Sequence, residues 1–319
     1  MTTTSPDVLR QRQQPRARST NRVGRWMQDG GVSKLLFTLP MLLVFGVFSW
    51  GPIVRSLVMS VQQTNFVGPA QWVGLENFRT VLDDRYFGKI VMNTLQFAFL
   101  ALIFGYPMPL VTAVLMSEVR RRKGLYSALV YLPVIIPPVV AVLLWKAFYD
   151  PTEAGLFNNI LARLPFSHLG PYPWLQDKHF AMPSLVAEAT WAAAGGTVII
   201  YLAALHSISS DLYEAAGLDG AGVWRKVWHV TMPQLRGVLL VTLILQIIGT
   251  AQVFLEPFLF TNGGPANATR TILYRIFDYG FGGGGQDFGA ATALSVMLAV
   301  FLCLLSAGYF RVTRSWSQS

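Results

Sequence analysis

The stretch EAAGLDGAGVWRKVWHVTMP, Glu214 to Pro233, is a polar, glycine-punctuated island in an apolar sequence. Before it lies the run Ala189–Ser210 and after it Gly237–Leu255, both free of Asp, Glu, Lys and Arg. Each is long enough to cross a bilayer as a helix, which takes about 20 residues. An island placed this way is a loop on one membrane face. Asp211 can cap a helix, with Glu214 three positions on in the manner of a capping box. That helix runs through Leu212, Tyr213, Ala215 and Ala216, the alanines giving strong propensity and a thin surface. Gly217 and Gly220 can end it and turn the chain. A second short helix is expected from Val223 to Val230, with Val223, Trp224, Val227 and Trp228 on one face and Arg225 and Lys226 on another. Pro233 then leads into the next span. Two readings of the loop stay open: a slim helix shaped for a groove on another protein, or an ordinary amphipathic interfacial loop.

Outward from the island, four further runs lack charged residues and reach span length: Leu35–Val54, Ile90–Ser117, Gly124–Trp145 and Phe288–Phe310. With 53% hydrophobic and 13% charged residues, the chain reads as an integral membrane protein. The spans must be helical, because lipid offers no partner to backbone N–H and C=O groups. The short alternating segments of a barrel are missing. Small residues in WAAAGGTVIIYLAAL suit a helix packed on helices more than one facing lipid. Pro133, Pro137 and Pro138 in YLPVIIPPVV are expected to kink or break the third span.

With the N-terminus on the cytoplasmic side, 16 of the 25 lysines and arginines fall inside and 9 outside, so both termini are expected to be cytoplasmic. The same clustering, seven basic residues before position 35 and four in Arg120–Lys123, explains the net charge of +9 without nucleic acid. The Arg- and Gln-rich tail has the composition of a disordered segment, and no cleavable signal is evident in it. One cysteine and four scattered histidines give no metal-ligand spacing. No G-x-x-x-x-G-K-[ST] pattern occurs, so this chain is not expected to bind ATP. The glycine-rich Gly280–Gly289 lacks the Lys-Ser/Thr that would follow in such a pattern and reads as a loop. No catalytic constellation recommends an enzyme.

The spacing Glu214-Ala215-Ala216, three residues, Gly220, nine residues, then Val230-Thr231-Met232-Pro233 resembles the signature of the permease subunits of binding-protein-dependent ABC importers. In that family the last four positions read Ile-x-Leu-Pro, so Val230 and Met232 are conservative departures. WVGLENFRTVLDD (Trp72–Asp84), NTLQFAF from Asn93, Tyr131–Asn158 and LFTNGGPANATRTIL (Leu259–Leu273) are similar to the permeases for disaccharides, oligosaccharides and glycerol phosphate. Ser209 stands where the family usually has Pro, and residues 280–285 are unusually rich in Gly.

The resemblance implies an all-α membrane protein, a six-span helical bundle of the type I ABC importer permease kind. Its parts would be a basic cytoplasmic tail 1–34, a transmembrane domain 35–310 carrying the coupling loop 206–236, and a tail 311–319. It implies a second homologous permease (a heterodimer), two cytoplasmic ATPase subunits that use ATP and Mg, and an extracytoplasmic solute-binding protein. The setting would be the bacterial cytoplasmic membrane, with no cofactor bound by this chain. Glu214 would meet a basic group on the ATPase, Ala215, Ala216, Gly217 and Asp219 would complete the docking helix, Gly220 its turn, and Pro233 the junction with the fifth span. The cargo would be a di- or oligosaccharide, or alternatively glycerol phosphate or a polyol. From another class, a stand-alone secondary transporter or channel would need an ion site and an internal repeat, and neither is clear.

Polar residues inside spans are functional suspects. Asn93, Trp191, Gln246, Gln252 and Glu256 are candidates for the substrate path, with Gln96 and Glu188 beside them. Gln252 and Glu256, four apart, are expected on one helical face. A hydrogen bond between helices serves each polar candidate equally well.

Overall fold

A computed structural model of the chain describes residues 26–27, 30–65, 68–119, 121–164, 170–282 and 286–314. The expected disordered tail falls mostly outside these residues, as does Gly283–Gly285 of the glycine-rich loop. The described elements are α1 (Gly31–Met59), the short antiparallel strands β1 (Gln62–Gln63) and β2 (Gln71–Trp72), α2 (Glu76–Leu82), α3 (Phe87–Glu118), α4 (Lys123–Ile135), α5 (Pro138–Phe148) and α6 (Leu156–Arg163). They continue with α7 (Ala181–His206), α8 (Ser210–Leu218), α9 (Val223–Ala251), α10 (Leu255–Thr261), α11 (Ile272–Phe281) and α12 (Phe288–Thr313). Contacts divide the chain into two units, Met1–Ser56 and Leu57–Ser319. The first holds most of α1, whose apolar side chains from Leu35 to Phe48 are exposed for contact with lipid or another chain. The second holds the remaining elements and the core.

Among the described residues, five helices are long and apolar enough to cross a membrane: α1, α3, α7, α9 and α12. The sixth expected span is not one helix. α4 and α5 meet at a bend of 102°. The cause is local: Ile136 and Pro137 are extended, with ψ of 129° and 134°. A proline ring disfavours helical backbone in the residue before it, and here two prolines act in succession. Three other prolines are absorbed without a break. The segments Gly46–Trp50, Ala101–Gly105 and Val227–Thr231 are single π-helical turns, each ending two residues before a proline, Pro52, Pro107 and Pro233 respectively. In each the residue before the proline bonds five back: Gly51 to Gly46, Tyr106 to Ala101, Met232 to Val227. The widened turn accommodates a ring that has no N–H to give and would strike the carbonyl four residues earlier.

Two consequences revise the expected boundaries. The second short helix after the polar island does not stop at Val230 but continues through the π turn as part of α9, 29 residues in all. The fifth span then ends at Ala251, four residues early, and the chain bends at Gln252 and Val253 before α10. α7 begins at Ala181, before the expected Ala189, and carries Glu188 in its buried face.

α7 is the hub, packed on α3 and α4. A Cβ on Gly195 would lie 2.5 Å from the Val130 carbonyl oxygen and 2.8 Å from Val134 Cγ2, so α4 and α7 touch at backbone distance. This is the use expected of the small residues in that span. Polar links inside the bundle run from Tyr106 Oη to the Leu239 carbonyl (2.7 Å), between Tyr201 and Thr242 hydroxyls (2.8 Å), and from Tyr309 Oη to the Leu240 carbonyl (2.6 Å).

At the far end of α9 from α8, the 259–272 segment is tied down from many sides. Asn93 on α3 donates to the carbonyls of Asn267 (2.7 Å) and Arg270 (2.9 Å), and Thr94 Oγ1 accepts from Ile272 N–H (3.0 Å). Arg275 and Tyr279 on α11 bond Asp84 before α3, at 2.9 Å from Arg275 Nε and 2.8 Å from the phenol. Burial opposes ionisation of Asp84, but the Tyr86 N–H, Tyr279 and Arg275 outweigh it and hold its carboxyl below the ordinary value of 3.8.

Candidate functional site

The polar island folds as a free-standing helix. Ser209, not Asp211, is its N-cap: the Ser209 hydroxyl accepts from Asp211 N–H at 3.3 Å, which places Asp211 in the first turn beside the helix's positive end. Its C-terminus closes as a Schellman motif. Ala221 N–H reaches the Ala216 carbonyl (2.9 Å), Gly220 N–H reaches the Gly217 carbonyl (3.0 Å), and Gly220 takes φ +72°. Gly220 therefore ends the helix as expected. Gly217 lies inside it instead, with Lys226 Nζ so near that an added Cβ would sit 3.2 Å away.

No residue of α8 is buried. Glu214, Ala215 and Asp219 are exposed, and so are large apolar groups on and after the helix: Leu218 (91%), Val223 (78%), Trp224 (77%) and Trp228 (62%). A small helix carrying carboxylates and rimmed by bare Leu, Val and Trp has the surface of an interaction site rather than a water-facing one. It is not loosely hung. Tyr213 Oη bonds Thr231 Oγ1 at 3.0 Å, and Thr231 is buried in the π turn of α9. Pro233 stands two residues beyond that turn inside the continuous helix, so it joins the two parts rigidly instead of separating them.

The second feature is a cavity of about 540 Å³ walled by α3, α7, α9 and α10. The sequence-based candidates divide here. Gln246, Gln252 and Glu256 line it. Gln252 and Glu256 do not share a helical face, because α9 ends at Ala251, before both, and Glu256 belongs to α10; the bend brings both to the cavity. Asn93 is not there: it is buried and its amide is spent on the two loop carbonyls. Trp191 packs at a tilt against Trp145 with ring centroids 5.6 Å apart, part of an aromatic group with Tyr149 and Phe157, and does not line the cavity. Sequence reasoning missed Tyr106, Thr190, Thr197, Thr242 and Thr250 on the wall. A signal existed for α7 and α9. Thr190, Ala193, Ala194 and Thr197 recur at helical spacing, as do Thr242, Gln246 and Gly249, giving two small, hydroxyl-bearing stripes.

Glu188 is 1% exposed, and its Oε2 has no hydrogen-bond partner among the described residues. Its helix, α7, packs against α10, which carries Glu256. An apolar wall with a few converging amides, hydroxyls and a carboxylate can hold a polyhydroxylated molecule by hydrogen bonds while Phe97 and Phe254 cover its apolar faces.

Residues 105–318 match the family model of the binding-protein-dependent transport system inner membrane component. The arabinooligosaccharides transport system permease protein AraP of Bacillus subtilis is 31% identical over 85% of each chain. The trehalose/maltose transport system permease protein MalF of Thermococcus litoralis is 31% identical over 88% of this chain and 92% of that one. The sn-glycerol-3-phosphate transport system permease protein UgpA of Pectobacterium atrosepticum is 32% identical over 86% and 92%. Among solved structures, a chain of a bacterial ABC transporter involved in the import of the acidic polysaccharide alginate superposes with a TM-score of 0.78, at 26% identity over 91% of this chain and 99% of that one.

Proposed function

This chain belongs to the binding-protein-dependent transport system inner membrane components, and on that premise we propose that it is the permease subunit of an ATP-driven importer carrying a di- or oligosaccharide. The observation that carries the reading is α8: a capped helix with no buried residue, with exposed Glu214 and a bare apolar rim, fastened by Tyr213 to the helix that walls the cavity. A helix with those properties has work to do against a partner. In this reading α8 docks on a cytoplasmic ATPase, with Glu214 facing a basic group, Ala215 and Ala216 allowing close approach, Asp219 at the rim and Gly220 making the turn. The ATPase supplies ATP and Mg chemistry; this chain supplies none and binds no cofactor. A second, homologous permease completes the pore as a heterodimer, and an extracytoplasmic binding protein delivers cargo. The basic segments then face the cytoplasm, both termini lie inside, and the setting is the bacterial cytoplasmic membrane. Gln246, Gln252 and Glu256 belong to the substrate path. Asn93 and Trp191 support it from outside the wall.

Reconstitution with the candidate ATPase, second permease and binding protein, followed by sugar uptake with and without ATP, tests this. ATP-dependent uptake is expected; uptake by this chain alone on an ion gradient would refute the importer reading. Glu214→Lys is expected to lower ATP-driven uptake by about 100-fold, since a like charge placed in a docked interface costs several kcal/mol. The protein should still insert in the membrane. Normal uptake by that variant would remove α8 from the coupling path.

A further inference from the structure

We infer that the cavity is built for uncharged sugars and rejects acidic ones, with Glu256 as the selecting group and Glu188 behind it. The inference rests on the importer reading and narrows its cargo. Two of the similar proteins act, by name, on anions: sn-glycerol 3-phosphate and alginate. A permease passing such cargo needs a positive partner where the anion loses its water, because an unpaired buried charge is costly. Among the described residues lining this cavity, none is Lys, Arg or His, and the one charged group is Glu256.

The cations of the neighbouring elements are engaged elsewhere. Lys146 on α5 donates to the Leu259 carbonyl (3.0 Å), Arg270 pairs with Asp278 (3.3 Å), and Arg275 with Asp84. Behind Glu256, a second carboxylate is sealed into α7 with a bare Oε2. Whichever of the two carries a proton, neither offers an anion a positive partner. A uronate or phosphate entering here would lose its hydration and meet a carboxylate; an uncharged sugar would meet amides, hydroxyls and a strong acceptor.

The test uses the assembled transporter in nanodiscs without the binding protein, so that the binding protein's own selectivity is removed. Binding is titrated with uncharged trisaccharides of starch, xylan and chitin, and with trigalacturonate and trimannuronate. At least one uncharged trisaccharide is expected to bind about tenfold or more tightly than either uronate, a ratio set by one unfavourable charge contact. Glu256→Gln is expected to raise the uronate-to-neutral ratio by about tenfold, and Glu188→Gln in the same direction by less. Should either variant fail to assemble, the wild-type ratio still decides. Equal binding of both classes, with ATP-driven uptake of a neutral sugar intact, overturns the selectivity and leaves the importer standing. Binding of neither class overturns the assignment of the cavity, and absence of any ATP-driven sugar uptake overturns the importer reading together with this one.

Discussion

The exposed helix α8 and the cavity solve opposite problems with opposite materials. α8 is assembled from one stretch of chain, Ser209 to Ala221, and its ends are closed by its own neighbours: a serine hydroxyl at one end, two backbone bonds around Gly220 at the other. It borrows a single bond from elsewhere, Tyr213 to Thr231. The cavity is gathered from positions between Phe97 and Glu256 on four helices, and none of its walls exists without the packing of α7 on α3 and α4. A surface that must present itself to a partner is encoded locally and left bare. A space that must enclose something is encoded non-locally and depends on close helix contact.

Three substitutions sharpen or break that contrast. The largest effect is expected from Gly195→Leu. Even a Cβ there meets the Val130 carbonyl at 2.5 Å, so α4 and α7 must part. A loss of about 3 kcal/mol is expected from such overpacking, read as a lower unfolding temperature in detergent. Gly195 lies on α7, which leads directly into α8, so retained ATPase binding by the folded fraction would show that the two regions are separable. The middle effect is expected from Asp84→Ala, which leaves Arg275 and Tyr279 half-buried without their acceptor, at a cost of about 2 kcal/mol. The same group sets a pH dependence. Its folded-state value lies below the ordinary 3.8, so its contribution is fully present above about pH 4 and disappears as pH falls below that. Unfolding temperatures measured from pH 6 to pH 3 should show the wild type losing stability that Asp84→Ala has already lost; parallel curves would mean the carboxylate contributes nothing. The smallest effect on stability is expected from Gly220→Ala. An alanine at φ +72° costs about 1 kcal/mol, confined to the end of α8. Unfolding of the bundle should move little while uptake falls. A large shift in unfolding temperature would show that α8 is part of the core after all.

What could be read from sequence follows the same division. The Glu214–Pro233 spacing, the Gly220 turn and the close packing of the fourth span were legible, because each depends on residues a few positions apart or on the size of a side chain. The bend after Ile136 was legible because two successive prolines leave the backbone little choice. Pro233 looked like a similar stop and was not, since a π turn absorbs one proline where it does not absorb two. Gln252 and Glu256 were placed on one face because the bend at Gln252–Phe254 itself contains no Gly or Pro, and Gly249 just before it reads as one more small residue of an apolar span. Asn93 misled for a different reason. A polar residue in an apolar run announces a partner, but nothing in the run says whether that partner is a ligand or the backbone of a loop 174 residues away. Glu188 was taken to lie where the fourth span begins, because a charge was treated as a boundary.

The unbroken course of α9 has a mechanical meaning. At 1.5 Å per residue, the 23 positions from Trp224 at its exposed tip to Gln246 on the cavity wall span about 33 Å of one stiff rod. A rod needs no relay. Tilting it by about 5° would shift Gln246, Gly249 and Thr250 sideways by about 3 Å relative to Trp224. Tyr213 bonds α8 to this rod at Thr231, in the π turn, so under the proposed docking a push on α8 would tilt the rod and the shift at the wall would depend on where along α9 the bundle grips it.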